Sequence, residues 1–197
     1  MMCRIVLLLL ALNLTAPAFA GPLHDAASEG NLEKMRVLIA EGAEMDARGE
    51  NGETPLILAI LEGRADVVEL LIANGADISA RNEGGFTPLH AAAYVDDVDA
   101  AERLLGKGAD VNHQDNKAGV TSLSVAAEEG HVAVARLLIE HGADLEAGER
   151  NGYTPLSRAL WREHKEVVSL LQQSGAACQP IEILGKAFHT RCVAGTP

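Results

Sequence analysis

Residues 51–81 read NGETPLILAILEGRADVVELLIANGADISAR, and the chain repeats this stretch at a nearly fixed interval. A Thr-Pro-Leu or Thr-Ser-Leu tripeptide marks each copy, at offsets of 33, 34 and 33 residues, beginning at Thr54, Thr87, Thr121 and Thr154. The tripeptide Gly-Ala-Asp keeps the same rhythm, beginning at Gly75, Gly108 and Gly142. A period in this range indicates a protein built from stacked repeats.

Each copy predicts two helices joined by a short turn. Thr54 is a good N-cap, and Pro55 takes the first helical position, where its missing N–H costs nothing. Apolar residues then recur at helical spacing until Gly63 ends the first helix. A second, more apolar helix runs to Asn74 and Gly75, where glycine accommodates a left-handed backbone. A polar, glycine-rich turn then connects to the next copy.

Moving the period back by 33 residues from Pro55 lands on Pro22, so a further unit precedes the stretch quoted above. The sequence therefore predicts five units, with approximate bounds 21–50, 51–83, 84–117, 118–150 and 151–180. The end of a stacked array exposes apolar surface that has to be covered. We expect residues 181–197 to form a C-terminal capping tail.

Residues 87–92, TPLHAA, meet every position of the ankyrin-repeat signature T-P-L-H-x-A, and Gly-Ala-Asp before an aliphatic residue is the usual ending of that repeat. From residue 22 to residue 180 the chain resembles ankyrin-repeat proteins of the exported bacterial type. The resemblance implies an all-α repeat solenoid, in which antiparallel helix pairs stack side by side and hairpin turns project from them.

Some positions depart from the ankyrin pattern. Ile57, Ser124 and Ser157 stand where the signature has histidine, as at His90. We interpret His90 as a structural residue of the turn that hydrogen-bonds nearby backbone. The segment 95–97 and Glu163 lack the glycine between the two helices, which predicts less stable loops there.

The first twenty residues have the three parts of a secretory signal peptide. Arg4 supplies a positive start, residues 5–12 are apolar throughout, and residues 18–20 (Ala-Phe-Ala) offer small residues to a signal peptidase. The apolar run is shorter than the ~20 residues of a membrane-spanning helix. We therefore expect a signal peptide at 1–20 and export to the periplasm, with the extracellular space as the alternative. We expect no membrane insertion after cleavage.

Cys178 and Cys192, fourteen residues apart, are the cysteines that remain after that cleavage. An even number of cysteines in an oxidising compartment favours a disulfide, with two free thiols as the alternative. By the loop-entropy argument, a bridge of this span contributes about 3 kcal/mol to the order of the tail.

Composition and motifs argue against several classes of function. The formal charge of −12 argues against nucleic acid as a partner, because binding phosphates needs a basic face. The sequence contains no nucleophile elbow, metalloprotease or P-loop motif, so we predict no catalytic residue, no cofactor and no enzyme. His131 and His164 occupy equivalent places in adjacent units, roughly 10 Å apart. They lack a third ligand, so we predict no metal site.

Equivalent positions on the first helices of the repeats predict a binding surface. We expect two series to face solvent: Ser28, Leu61, Tyr94, Glu128 and Trp161, and Asp25, Leu58, Ala91, Val125 and Arg158. The tips of the hairpins form a third series: Glu53, Phe86, Val120 and Tyr153. Exposed apolar and aromatic residues indicate a contact surface, so the predicted protein-binding residues are Leu58, Leu61, Phe86, Tyr94, Val95, Tyr153 and Trp161.

Packing is the alternative explanation for the aromatic members of this set. Phe86 and Tyr153 would then lie over the next turn, and Trp161 beneath the fifth unit. The Asp and Glu residues are expected at solvated positions, with no carboxylate pair arranged for acid–base chemistry.

The resemblance implies a monomer that binds a partner protein through its concave face and hairpin tips. Two roles are open among exported bacterial proteins of this type. One is an immunity protein against a secreted toxin, and the other is an accessory protein that stabilises an enzyme of oxidative-stress defence.

Overall fold

The computed structural model describes residues 21–180, 183 and 185–194. The predicted signal peptide at 1–20 lies outside these residues, as does part of the predicted capping tail. The described residues form eleven α-helices and one short 3-10 turn, and they contain no strand. They divide into two compact units between Pro88 and Leu89.

The first unit contains two helix pairs. The first pair is α1 (Pro22–Glu29) and α2 (Leu32–Ala40), and the second is α3 (Pro55–Leu61) and α4 (Ala65–Ala73), with the 3-10 turn Glu50–Gly52 between the pairs. Within each pair the helices pack on each other, α1 packs on α3, and α2 contacts α4. The core between them is aliphatic, and its largest fully buried side chains are Met35, Leu56, Ile57, Ile60 and Leu71.

The second unit repeats this arrangement and adds a terminal helix. Its helices are α5 (Pro88–Val95), α6 (Val98–Gly106), α7 (Ser122–Glu129), α8 (Val132–Glu140), α9 (Pro155–Arg162), α10 (Lys165–Gln173) and α11 (Lys186–Ala194). The first helices α7 and α9 pack side by side. Among the second helices, α6 packs on α8, and α8 packs on α10. The helix pairs predicted from the sequence are therefore present in both units.

The predicted N-caps are confirmed. Thr54 Oγ1 accepts the backbone N–H of Ile57 at 3.3 Å, and Thr121 Oγ1 accepts that of Ser124 at 3.1 Å. In the last repeat the cap is reciprocal, because Ser157 Oγ also accepts the N–H of Thr154 at 2.8 Å. Serine in place of the signature histidine therefore contributes to the cap of its own helix.

The two signature histidines, His24 and His90, each tie a first helix to the following turn. His90 Nε2 donates to the carbonyl of Val120 at 2.9 Å, and His24 Nε2 bonds the carbonyl of Glu53 at 3.0 Å in the first unit. The structural role predicted for His90 is confirmed. Burial of the imidazole lowers the pKa of His90 to about 4, with the nearby His113 acting in the same direction.

A disulfide holds the C-terminal helix against the last repeat. Cys178 is bonded to Cys192, as the cysteine count predicts, and α11 packs on α9. Gln172 Nε2 donates to the carbonyl of Cys192 at 2.8 Å, and His189 Nδ1 bonds the carbonyl of Gln179 at 2.8 Å. The described part of the tail is thus attached to α10 and α9 at several points.

Two loops without glycine adopt the backbone that glycine adopts elsewhere. Asp96 has φ of 58° and Glu163 has φ of 63°, close to the 64° of Gly63 at the equivalent position. A non-glycine residue in the left-handed region is strained, because its Cβ approaches the following carbonyl. The loops keep the repeat geometry at a cost in stability.

Replacing Asp96 with glycine should remove that strain. We expect Asp96→Gly to raise the free energy of unfolding by about 1 kcal/mol. The 3.9 Å approach between Asp96 and His131 involves a largely exposed carboxylate, so its loss should matter little. The matched control is Gly63→Ala, which should lower stability by a similar amount, since nothing lies within 4 Å of the added methyl group. Urea denaturation measures both, and a destabilised Asp96→Gly protein would contradict this account.

The buried imidazole of His90 predicts acid sensitivity. Its pKa is about 4 when folded and near 6.5 when unfolded, so the unfolded chain takes up the proton first as the pH falls. The stabilisation is complete above pH ~6.5 and is lost on the way to pH ~4, a change on the order of 3 kcal/mol. In His90→Gln this loss should largely disappear, as measured by urea denaturation at a series of pH values. His141→Gln, at an exposed position on the C-cap of α8, is the control.

Candidate protein-binding surface

In the second unit, three equivalent residues end the first helices of successive repeats. They are Tyr94 in α5, Glu128 in α7 and Trp161 in α9. For Tyr94 and Glu128, the N-cap residue of the second helix in the next repeat bonds the backbone carbonyl. His131 Nε2 donates to the carbonyl of Tyr94 at 3.0 Å, and His164 Nε2 donates to that of Glu128 at 2.9 Å.

The first unit uses the same device with a different side chain. Arg64, the N-cap of α4, donates through Nε to the carbonyl of Ser28 at 2.8 Å. The last carbonyls of a helix have no partner within the helix, so a donor from the next repeat both satisfies them and fixes their position. His131 and His164, weighed above as metal ligands, are engaged in this way. The described residues contain no group of three His, Cys, Asp or Glu side chains that could hold a metal ion.

A buried ion-pair network lies beneath the row in the second unit. Arg158 binds Glu149 through both Nε, at 2.7 Å, and Nη2, and its Nη1 lies 3.5 Å from Glu128 Oε2. Arg162 Nη2 donates to the other oxygen of Glu128 at 2.5 Å. Arg158 and Glu128 are each 7% exposed and Glu149 is 5% exposed.

This network corrects two expectations. Both first-helix series were expected to face solvent. Ala91, Val125 and Arg158 of one series and Glu128 of the other are instead buried. Glu149 is likewise not at a solvated position. Arg158 and its partners are buried because α7 packs closely against α9, and because the turn that contains Glu149 folds back over Arg158. A signal was present in the sequence: Arg158 stands in a series with Leu58, Ala91 and Val125, and a charge among apolar residues needs a buried partner.

Aromatic side chains lie over this network. Trp161 is 59% exposed, and its ring centroid is 6.5 Å from that of half-buried Tyr153, with 32° between the ring planes. The guanidinium carbon of Arg158 lies 5.2 Å from the Tyr153 centroid, within the range of a cation–π contact. The aromatic pair is therefore supported from below, while the Trp161 ring remains accessible.

Tyr94 and Val95 are half-buried at the end of α5. Partial burial raises the pKa of Tyr94, and the nearby carboxylate of Glu129 adds to the effect. Burial also raises the pKa of Glu129, as does Glu128, while Arg162, His131 and His164 act in the opposite direction. Tyr94 and Glu129 thus face each other across two adjacent first helices.

In the first unit the predicted contact residues have different environments. Leu58 and Leu61 are half-buried on α3. Phe86 is only 9% exposed, and its ring lies so close to its own turn that a Cβ at Gly84 would come within 2.8 Å of it. Burial of Phe86 fits the packing role that the sequence left open for it.

The described helices include none that is long and apolar enough to cross a membrane. Asp and Glu outnumber Lys and Arg by 28 to 16 in the whole chain, so the surface is acidic. A disulfide is compatible with an oxidising compartment.

A family model described as ankyrin repeats (3 copies) matches residues 23–115 and again residues 89–181. The chain belongs to the ankyrin-repeat family, and its predicted class, an all-α repeat solenoid of ankyrin units, is confirmed. Comparison with curated proteins gives no significant match. Ankyrin repeats are protein–protein interaction modules and act as non-enzymatic scaffolds, which supports a partner-binding role.

Mutations of different members of the ion-pair network should lower the free energy of unfolding by different amounts. Arg158→Leu leaves Glu149 buried without its partner, and we expect a loss of about 3 kcal/mol or more in the free energy of unfolding. The double variant Arg158→Leu, Glu149→Leu should be more stable than that single variant, because no unpaired charge is left at Glu149. Arg162→Leu, at a more exposed member of the network, should cost less than about 1 kcal/mol. Urea denaturation of the three variants tests this, and a double variant less stable than Arg158→Leu would contradict it.

Proposed function

We propose that this protein is an exported binding module that recognises a partner protein through the ends of its first helices. The observation that carries the proposal is Trp161, a large aromatic side chain that is 59% exposed in a braced position. Tryptophan and tyrosine are enriched among the residues that dominate protein interfaces. A rigid exposed indole loses little side-chain entropy on binding.

In the second unit the proposed contact residues are Tyr94, Val95, Tyr153 and Trp161. The carbonyl bonds from His131 and His164 support the backbone beneath this row. In the first unit the proposed contact residues are Leu58 and Leu61. Phe86 contributes indirectly, because its buried ring shapes the hairpin that contacts the partner. A surface held in its binding geometry avoids part of the ordering cost of association.

Export is supported by the leader-like residues 1–20 and by the disulfide between Cys178 and Cys192. We propose that the mature protein begins at Gly21 and is a monomer in the periplasm. Intact mass spectrometry of the protein from a periplasmic fraction should give the mass of residues 21–197 with both cysteines oxidised. Recovery of the full-length chain from the cytoplasm, with three titratable thiols, would contradict the export proposal.

The binding proposal is tested by removing the exposed rings. The purified exported protein is used to capture partners from periplasmic extract, and the captured protein is quantified by mass spectrometry. Tyr94→Ala and Trp161→Ala should each reduce capture by about tenfold with little change in melting temperature, because anchor residues contribute on this scale. Val37→Ala is a matched control, since Val37 is 55% exposed on α2, a helix that carries none of the proposed contacts. A sharp loss of stability with unchanged capture would show that the rings serve packing instead.

A further inference from the structure

We propose that the part of this surface between Tyr94 and Trp161 receives a basic segment of the partner, with a Lys or Arg side chain pairing with Glu129. The inference rests on the proposed function and specifies the chemistry of what binds there. It concerns the second unit alone, where Tyr94, Glu129 and Trp161 belong to α5, α7 and α9.

The repeat geometry places a carboxylate between two aromatic rings. Tyr94, Glu128 and Trp161 are equivalent residues of three successive first helices, and neighbouring packed helices lie roughly 10 Å apart. Glu129 directly follows Glu128 and is half-buried. Its carboxylate lies close enough to Tyr94 to raise the pKa of that phenol, and close enough to Arg162, the neighbour of Trp161, to be influenced by it.

The charges beneath the row are unequally matched. Three carboxylates, from Glu128, Glu129 and Glu149, face two guanidinium groups, from Arg158 and Arg162. Both guanidinium groups bind Glu128, and Arg158 also binds Glu149. Among the described residues, Glu129 has no hydrogen bond or ion pair. In the described part of the chain, the half-buried Glu129 carboxylate therefore has no direct partner.

Burial of this carboxylate makes a cationic partner favourable. Burial raises the pKa of Glu129, as does the neighbouring Glu128, so its charged form is only partly stabilised within this chain. Arg162, His131 and His164 face Glu129 and lower its pKa, but Arg162 donates to Glu128 and both imidazoles bond backbone carbonyls. A charge-assisted hydrogen bond from a partner would satisfy Glu129.

The aromatic rings favour the same ligand. A Lys or Arg side chain over the face of tryptophan or tyrosine gains a cation–π contact, and the Arg158–Tyr153 pair is such an arrangement within this chain. The net charge of the second unit also favours a cationic ligand. Residues 89–197 contain 15 Asp and Glu against 10 Lys and Arg, a net charge of −5, which favours association with a basic segment over an acidic one.

A displayed library of random peptides, selected on the full exported protein, tests this inference. We expect the selected peptides to be enriched in a Lys or Arg next to an apolar residue. Affinities of synthetic copies are measured by fluorescence anisotropy at low and high salt. Glu129→Gln should weaken binding by about tenfold and reduce its salt dependence, because a charged acceptor is lost. Glu140→Gln, at an exposed carboxylate ending α8, should leave both unchanged.

The remaining outcomes separate the two proposals. Peptides that need Tyr94 and Trp161 but carry no cation, or that bind Glu129→Gln normally, overturn the inference and leave the proposed binding surface in place. Selected peptides that bind Tyr94→Ala and Trp161→Ala as tightly as the unmodified protein overturn both proposals. Thermal melting of each variant confirms that a lost affinity does not come from unfolding.

Discussion

The helices in the described part of this protein have seven to nine residues, which is too short for stability in isolation. Every pair therefore depends on its neighbour for burial and for the hydrogen bonds of its ends. In the first unit Arg64 supplies a donor to Ser28, and the N–H of Asp77 bonds Asp46 at 2.9 Å. In the second unit the N–H of Asp144 bonds Asn112 in the equivalent turn at 2.8 Å. These bonds from repeat to repeat are the constraint on which the remaining structure depends.

The same bonds set the character of the binding surface. Where a donor of the next repeat fixes the last carbonyls of a first helix, the side chains at that point have little backbone freedom. Trp161 then rests beside Tyr153, and Arg158 supports Tyr153 while it neutralises Glu149. Arg158, Glu128 and Glu149 are buried, so removing one of these partners is expected to cost more than the group contributes as a whole. We propose that the exposed indole and the Glu129 carboxylate are the groups that contact a partner.

Much of the fold was predictable because ankyrin units are specified locally. Thr54 and Pro55 start a helix through capping and a preset backbone angle, which depend on neighbouring residues only. The role of His90 follows from its place in the signature, and the disulfide follows from an even cysteine count. The glycine-free loops at Asp96 and Glu163 were predicted to be less stable, and both adopt the strained left-handed backbone.

The sequence by itself determined the period, the helix pairs, the caps and the residues at each equivalent position. Only the tertiary structure decided which of those positions are accessible to solvent. Arg158 and Glu128 were expected in solvent and are buried, and Phe86 lies over its own hairpin. The physical reason is that periodicity shows the face of a helix on which a residue lies. Exposure depends instead on the side chains and turns that adjacent repeats bring over it, such as Glu149 over Arg158, and these contacts form only when the units stack.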